Sequence, residues 1–131
     1  MDRYYGHEVS NAYLGDEDQG QMSAWFVMTT LGLFQTDGGT RVDPIYEIGS
    51  PMFKKAVINL GEQFGRGKTF TIEAKNTSRK NVYVQSAVLN GKPLTNFWFN
   101  ASDLLRGGSL VLEMGPEPNT KWGLGELPAA R

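Results

Sequence analysis

Apolar residues recur along this chain with two different periods, and the change of period divides it. In "GQMSAWFVMTTLGLF" (20–34), Met22, Trp25, Phe26, Thr29 and Leu33 follow a helical spacing. Ala24, Val27, Met28 and Leu31 are apolar as well, so the predicted helix is hydrophobic nearly all round. Such a helix expects burial on every side. A chain of 131 residues has little with which to bury it, and the segment reads as a piece of something larger. Upstream, "MDRYYGHEVSNAY" reads as the end of another helix followed by a loop at Gly6.

"TDGGTRVDP" (36–44) is a turn-rich linker, and after it the period becomes two. Ala56, Ile58 and Leu60 alternate with polar neighbours, as do Phe70, Ile72 and Ala74. Val82, Val84, Ser86 and Val88 alternate with Tyr83, Gln85 and Ala87, and Leu110, Leu112 and Met114 close the series. Each run predicts a strand with one buried face. "NTSRKN" (76–81) joins two of them. Asn90-Gly91 signals a two-residue hairpin, because both central positions of a type I′ turn need positive φ. "NASDLLRGG" (100–108) predicts one short helix, with Asn100 as its cap, Asp103 near its positive end and Gly107 as its stop. Short strands with regular turns predict a mainly β chain, an antiparallel β-sandwich preceded by an N-terminal helical segment. The tail after Gly115 reads as loop.

Composition narrows the chemistry. Hydrophobic residues make up 40% and charged residues 21%, an ordinary globular balance. The net charge is −1 and no basic run exceeds two residues, so there is no nucleic-acid footprint. The absence of cysteine excludes disulfides and thiolate metal sites, and a single histidine, His7, excludes a His-based triad or a multi-histidine zinc site. No apolar run has the length of a membrane span, and the first residues are unlike a signal peptide; an export signal would lie outside this chain.

Against that modest charge, "GDEDQGQMSAW" (15–25) packs Asp16, Glu17 and Asp18 side by side before the helix. Adjacent carboxylates repel unless they bind a cation, activate water or face a helix N-terminus. Capping is one reading and half of a catalytic pair is the other. An EF-hand loop fits poorly, because Gly20 stands where a ligand is needed and no closing glutamate follows. In "NFWFN" (96–100), Trp98 points opposite to its neighbours if the segment is a strand, which makes it a candidate sugar-stacking platform or a cover for the core edge. Trp25 and Trp122 read as packing residues, and "GRGK" (65–68) as a turn leading into a strand.

"GDEDQGQMSAWFVMTTLGLF" resembles the C-terminal part of glycoside hydrolase family 92, the calcium-dependent exo-acting α-mannosidases. The family motif is Gly, Asn or Asp, Asp or Glu, Asp, one variable residue, then Gly-Gln-Met-Ser-Ala-Trp. "YEIGSPMFKKAVINL", "GKTFTIEAKN", "NVYVQSAVLNGKPL" and "GGSLVLEMGPEPN" are similar to the family's closing strands, in the same order, so the resemblance covers nearly the whole chain. Phe34-Gln35 replaces the family's usual aromatic-proline ending of the helix, with no consequence expected for catalysis.

The resemblance implies a longer parent enzyme with an (α/α)6 catalytic barrel. Residues 1–35 would be its terminal helices and residues 36–131 a C-terminal β-sandwich-like region. It also implies inversion at the anomeric carbon, with one carboxylic acid at the leaving oxygen and one carboxylate activating water. Carried over, Asp18 matches the final Asp of the motif and Asp16 the Asn/Asp position; these two are the expected water-activating pair, with Glu17 a bystander or supporting group. Many family members have Asn at the position of Asp16, which weighs against its being an obligatory base. The general acid and most calcium ligands would lie upstream, so metal ligands within this chain are expected to be none. The implied partner is an α-linked mannose oligosaccharide, most often α-1,2-linked, and the implied location periplasmic or extracellular. The chain alone is then expected to be inactive, and to self-associate through its apolar helix. The alternative is a non-catalytic carbohydrate-binding module, with Trp98 as substrate-binding candidate, or a structural β-sandwich.

Overall fold

The computed structural model describes residues 5–12, 15 and 17–129. The helical pattern becomes helix α1 (Gln21–Leu31). It starts at Gly20 and stops at Gly32, both left-handed (φ 69° and 73°), and the Gly32 N–H closes the last turn on Met28 and Thr29 carbonyls. Within α1 only Thr30 is buried, while Phe26 and Val27 remain 38% and 54% exposed. The all-round apolar pattern is therefore left largely uncovered by the rest of the chain. Segment 5–12 forms the predicted loop, closed by the Gly6 N–H on the Ala12 carbonyl (3.1 Å). It packs on α1 through Tyr5, whose ring stacks on Trp25 at 5.6 Å and whose hydroxyl donates to the Met22 carbonyl (3.1 Å). The helix end predicted before it falls mostly on residues 1–4, outside the described residues, and its last residue, Tyr5, forms a β-bridge, with bends and turns following.

Two sheets follow. The small one contains β1 (Leu33–Phe34), β2 (Ile45–Ile48) and β7 (Trp98–Asn100), in the order β1-β2-β7, all antiparallel. The turn-rich segment 36–44 thus joins two paired strands, Leu33 facing Ile48 and Phe34 facing Glu47. The large sheet contains β3 (Lys55–Asn59), β4 (Thr69–Lys75), β5 (Tyr83–Leu89), β6 (Lys92–Leu94) and β8 (Gly108–Gly115), in the order β3-β4-β8-β5-β6. Helix α2 (Ala101–Leu105) connects β7 to β8.

The mainly β, predominantly antiparallel reading holds, with three refinements. First, β8 inserts between β4 and β5 and runs parallel to β4, because the crossover through β7 and α2 returns the chain in β4's direction. Second, a register shift between Val84 and Ser86 turns the strand over, so Val84 and Ala87 are buried while Ser86 is exposed. The expected face of Val84, Ser86 and Val88 is thereby broken, as a bulge requires. Third, Asn100 occupies the N-cap position of α2 but its side chain makes no capping hydrogen bond; Asp103 does lie in the first turn. Gly107 ends α2 at φ 83°, and Asn90 and Gly91 adopt φ 50° and 80° in the predicted hairpin between β5 and β6.

The buried faces of the two sheets meet in one core. Phe70, Ile72, Leu110 and Leu112 are 2% exposed or less in the large sheet, and Leu33 and Phe99 match them in the small one. The Phe99 ring lies 6.1 Å from Phe70 and 5.9 Å from Tyr46, joining the sheets. Helix α1 rests on this assembly through Met28 and Leu31 and contacts β1 of the small sheet.

Candidate active site

Gly20 has no side chain with which to cap α1, and no charged residue lies in the helix itself. The cap comes from three residues earlier. A turn closed by the Gly20 N–H on the Glu17 carbonyl (2.9 Å) brings the Glu17 side chain back over the helix start. Its Oε2 accepts from the Met22 N–H (2.9 Å), and both carboxylate oxygens accept from the Ser23 N–H (3.0 and 3.1 Å). These are two of the four amides that a helix leaves without internal partners. The Ser23 hydroxyl does most to hold the Glu17 carboxyl below its ordinary value of 4.5; partial desolvation opposes this, and the Ser23 and Met22 amides add to the lowering.

Glu17 and Asp18 are therefore not equivalent. Capping falls on Glu17, the one expected to be a bystander or support. Asp18 stands exposed in the turn, with no hydrogen-bond partner among the described residues. Asp16 lies outside the described residues. A carboxylate without a protein partner keeps its lone pairs for water, which suits proton acceptance.

Among the described residues no three His, Asp or Glu side chains gather as a metal-ligand set. Glu17 already spends both carboxylate oxygens on backbone amides. This donor set does not fit the calcium implied by the family resemblance.

Trp98 is half-buried on β7, opposite the buried Phe99. Its indole N–H donates to the Glu126 carbonyl (2.8 Å), which ties the C-terminal tail to the small sheet. With Arg41, Asp43 and Asn100 it lines a cavity of about 310 Å³, closed on one side by Ala129. Trp98 thus borders a recess beside the C-terminal tail, and it is not among the partly buried residues packed on the core. Trp25 and Trp122 pack as expected, Trp122 against the core with its N–H on the Leu94 carbonyl (3.0 Å).

The sequence reading missed Asp37. Only 8% exposed, it accepts from the Gly39 N–H (3.0 Å) and pairs with Arg41, which in turn donates to the Ala129 carbonyl. The signal was present in "TDGGTR": an Asp two residues before a glycine, poised to bond the backbone ahead of it.

Comparison with known proteins follows the same lines. The glycosyl hydrolase family 92 catalytic domain matches residues 1–116. An uncharacterized secreted glycosidase of Arthroderma benhamiae is 36% identical over 122 residues, 92% of this chain and 15% of its own length. Among solved structures, a family 92 inverting mannosidase from Bacteroides thetaiotaomicron is 38% identical with a TM-score of 0.78, covering 93% of this chain and 16% of that one. A family 92 α-mannosidase from the same organism, whose structure is also known with mannoimidazole bound, is 31% identical with a TM-score of 0.81, covering 95% of this chain and 15% of that one. The chain thus spans roughly one sixth of the length of these relatives. It belongs to glycoside hydrolase family 92.

Proposed function

We propose that these 131 residues are the C-terminal portion of an exo-acting, inverting, calcium-dependent α-mannosidase that releases mannose from α-1,2-linked mannosides. The observation that carries this reading is the 38% identity and TM-score of 0.78 to an inverting mannosidase over 93% of this chain. Residues 1–35 would close the catalytic barrel and residues 36–131 would form the β-rich region behind it. The relative described as secreted supports export, and no helix among the described residues is long and apolar enough to cross a membrane.

In this reading Asp18, with Asp16 beside it, is the water-activating side of the pair. As water attacks the anomeric carbon from the face opposite the leaving group, the Asp18 carboxylate takes its proton. A carboxylic acid outside this chain gives a proton to the departing oxygen, and the C–O bond breaks with inversion. Calcium would be held by residues outside the described ones.

Asp18→Asn in the full-length enzyme tests the assignment. It removes the proton acceptor and keeps the shape, so kcat on α-1,2-mannobiose falls by roughly 10²–10⁴-fold with the melting temperature preserved. Retained kcat overturns the base assignment. The 131-residue chain alone turns over no mannobiose, and measurable turnover by it would sink the claim that its site is incomplete. The exposed side of α1 is where the rest of the catalytic domain would pack. The isolated chain covers that side by self-association, and a monomer by light scattering at high concentration counts against this.

A further inference from the structure

Glu17 and Asp18 are neighbours with opposite situations. Both Glu17 oxygens are held by the Met22 and Ser23 amides, while Asp18 stands exposed in the turn with no hydrogen-bond partner among the described residues. Gly20 leaves the helix start without a cap of its own, so one carboxylate of the triplet must supply it. Whichever does so gives up its lone pairs to N–H groups and becomes a weaker base. We infer that Glu17 is the positioning residue of the catalytic loop: by occupying the N-terminal amides of α1 it fixes the turn and keeps Asp18 off them, free to accept a proton. This rests on the base assignment proposed above.

The surroundings leave few other groups for this task. Helix α1 carries no ionisable side chain. On the described part of the segment packed against it, the titratable groups are Tyr5, which donates to the Met22 carbonyl, and His7 and Glu8, both exposed.

The test compares Glu17→Ala, Glu17→Gln and Asp18→Asn in the full-length enzyme, following kcat, KM and melting temperature with α-1,2-mannobiose as substrate. In Glu17→Ala the amides are vacated and the neighbouring carboxylate slides onto them. The expected result is a kcat loss of roughly tenfold to a hundredfold at nearly unchanged KM, the scale of a 1 Å misplacement. Glu17→Gln keeps an acceptor oxygen for the amides, so it recovers most of the lost kcat. A merely structural role would lower the melting temperature of Glu17→Ala while leaving kcat per folded enzyme unchanged and Glu17→Gln no better than Glu17→Ala; that result overturns the inference. If Asp18→Asn is inactive and Glu17→Ala is normal, the positioning role alone fails. If Asp18→Asn is fully active, the base assignment fails, and the positioning role falls with it.

Discussion

Phe99→Ala is the substitution that separates the two sheets. Phe99 is 2% exposed and contacts rings on both sides, Phe70 in the large sheet and Tyr46 in the small one. Truncating a buried Phe to Ala costs about 3–5 kcal/mol through lost transfer energy and the cavity left behind. With two ring partners and almost no exposure, Phe99 belongs in the upper half of that range, about 4 kcal/mol. A domain of this size has about 7–20 kcal/mol of stability in total. The loss translates to a fall of roughly 12–20 °C in melting temperature. The small sheet also carries α1, so its contacts should loosen before the large sheet melts. Thermal melts by far- and near-ultraviolet circular dichroism check both statements. The near-ultraviolet signal of Trp25 and Trp98 should be lost at a lower temperature than the β signal. Phe99→Leu, which keeps most of the volume, should melt as one transition close to wild type. A Phe99→Ala protein that loses less than about 1 kcal/mol, or melts in a single transition near wild type, would refute the joint role.

Three further outcomes follow from local geometry. In Gly67→Ala the new Cβ would lie 2.1 Å from the Arg106 carbonyl oxygen, a backbone atom, and would disturb the Gly67 N–H on the Leu105 carbonyl (2.8 Å). The expected cost by urea denaturation is about 2–4 kcal/mol, against about 1–2 kcal/mol for Gly38→Ala, which has open space and only its left-handed backbone to resist it; equal costs would contradict the clash. Because folding lowers the Glu17 pKa, its contribution to stability is present above the ordinary value of 4.5 and is lost as pH falls through the lowered folded value. The melting-temperature gap between wild type and Glu17→Gln should therefore shrink below about pH 4.5, and a gap constant from pH 7 to pH 3 would exclude the charged cap. If the recess beside Trp98 binds mannose oligomers, calorimetry should detect heat with the wild type and none with Trp98→Ala; no heat in either protein dismisses the binding-module reading.

Local features of this fold were legible because their causes are local. Asn90-Gly91 makes its turn wherever it stands, and the alternation at Phe70, Ile72 and Ala74 reports one buried face directly. The insertion of β8 between β4 and β5 was not legible. Strand order depends on which edge a distant segment reaches, and the alternation of Leu110, Leu112 and Met114 is the same in any position. The bulge at Val84–Ser86 was hidden for a related reason: in an unbroken strand Ser86 occupies the inward place that Ala87 takes. In the acidic loop, the surplus of charge was visible and its division was not. Which carboxylate turns back over α1 depends on the Glu17–Gly20 turn, a conformation that three adjacent acidic letters do not encode by themselves.

The central place of β8 also governs the order in which this domain can be made. Residues 108–115 hydrogen-bond to β4 on one side and β5 on the other, yet they emerge from the ribosome after both. Until then the β3–β4 and β5–β6 hairpins each present an unpaired edge and a bare inward row, Phe70, Ile72 and Ala74 on one and Val84 and Ala87 on the other. A polypeptide stalled or cleaved before Gly108 is thus two adhesive hairpins rather than a smaller domain. Such species are open to wrong pairing with other chains, and a chaperone has reason to hold them until the last strand arrives.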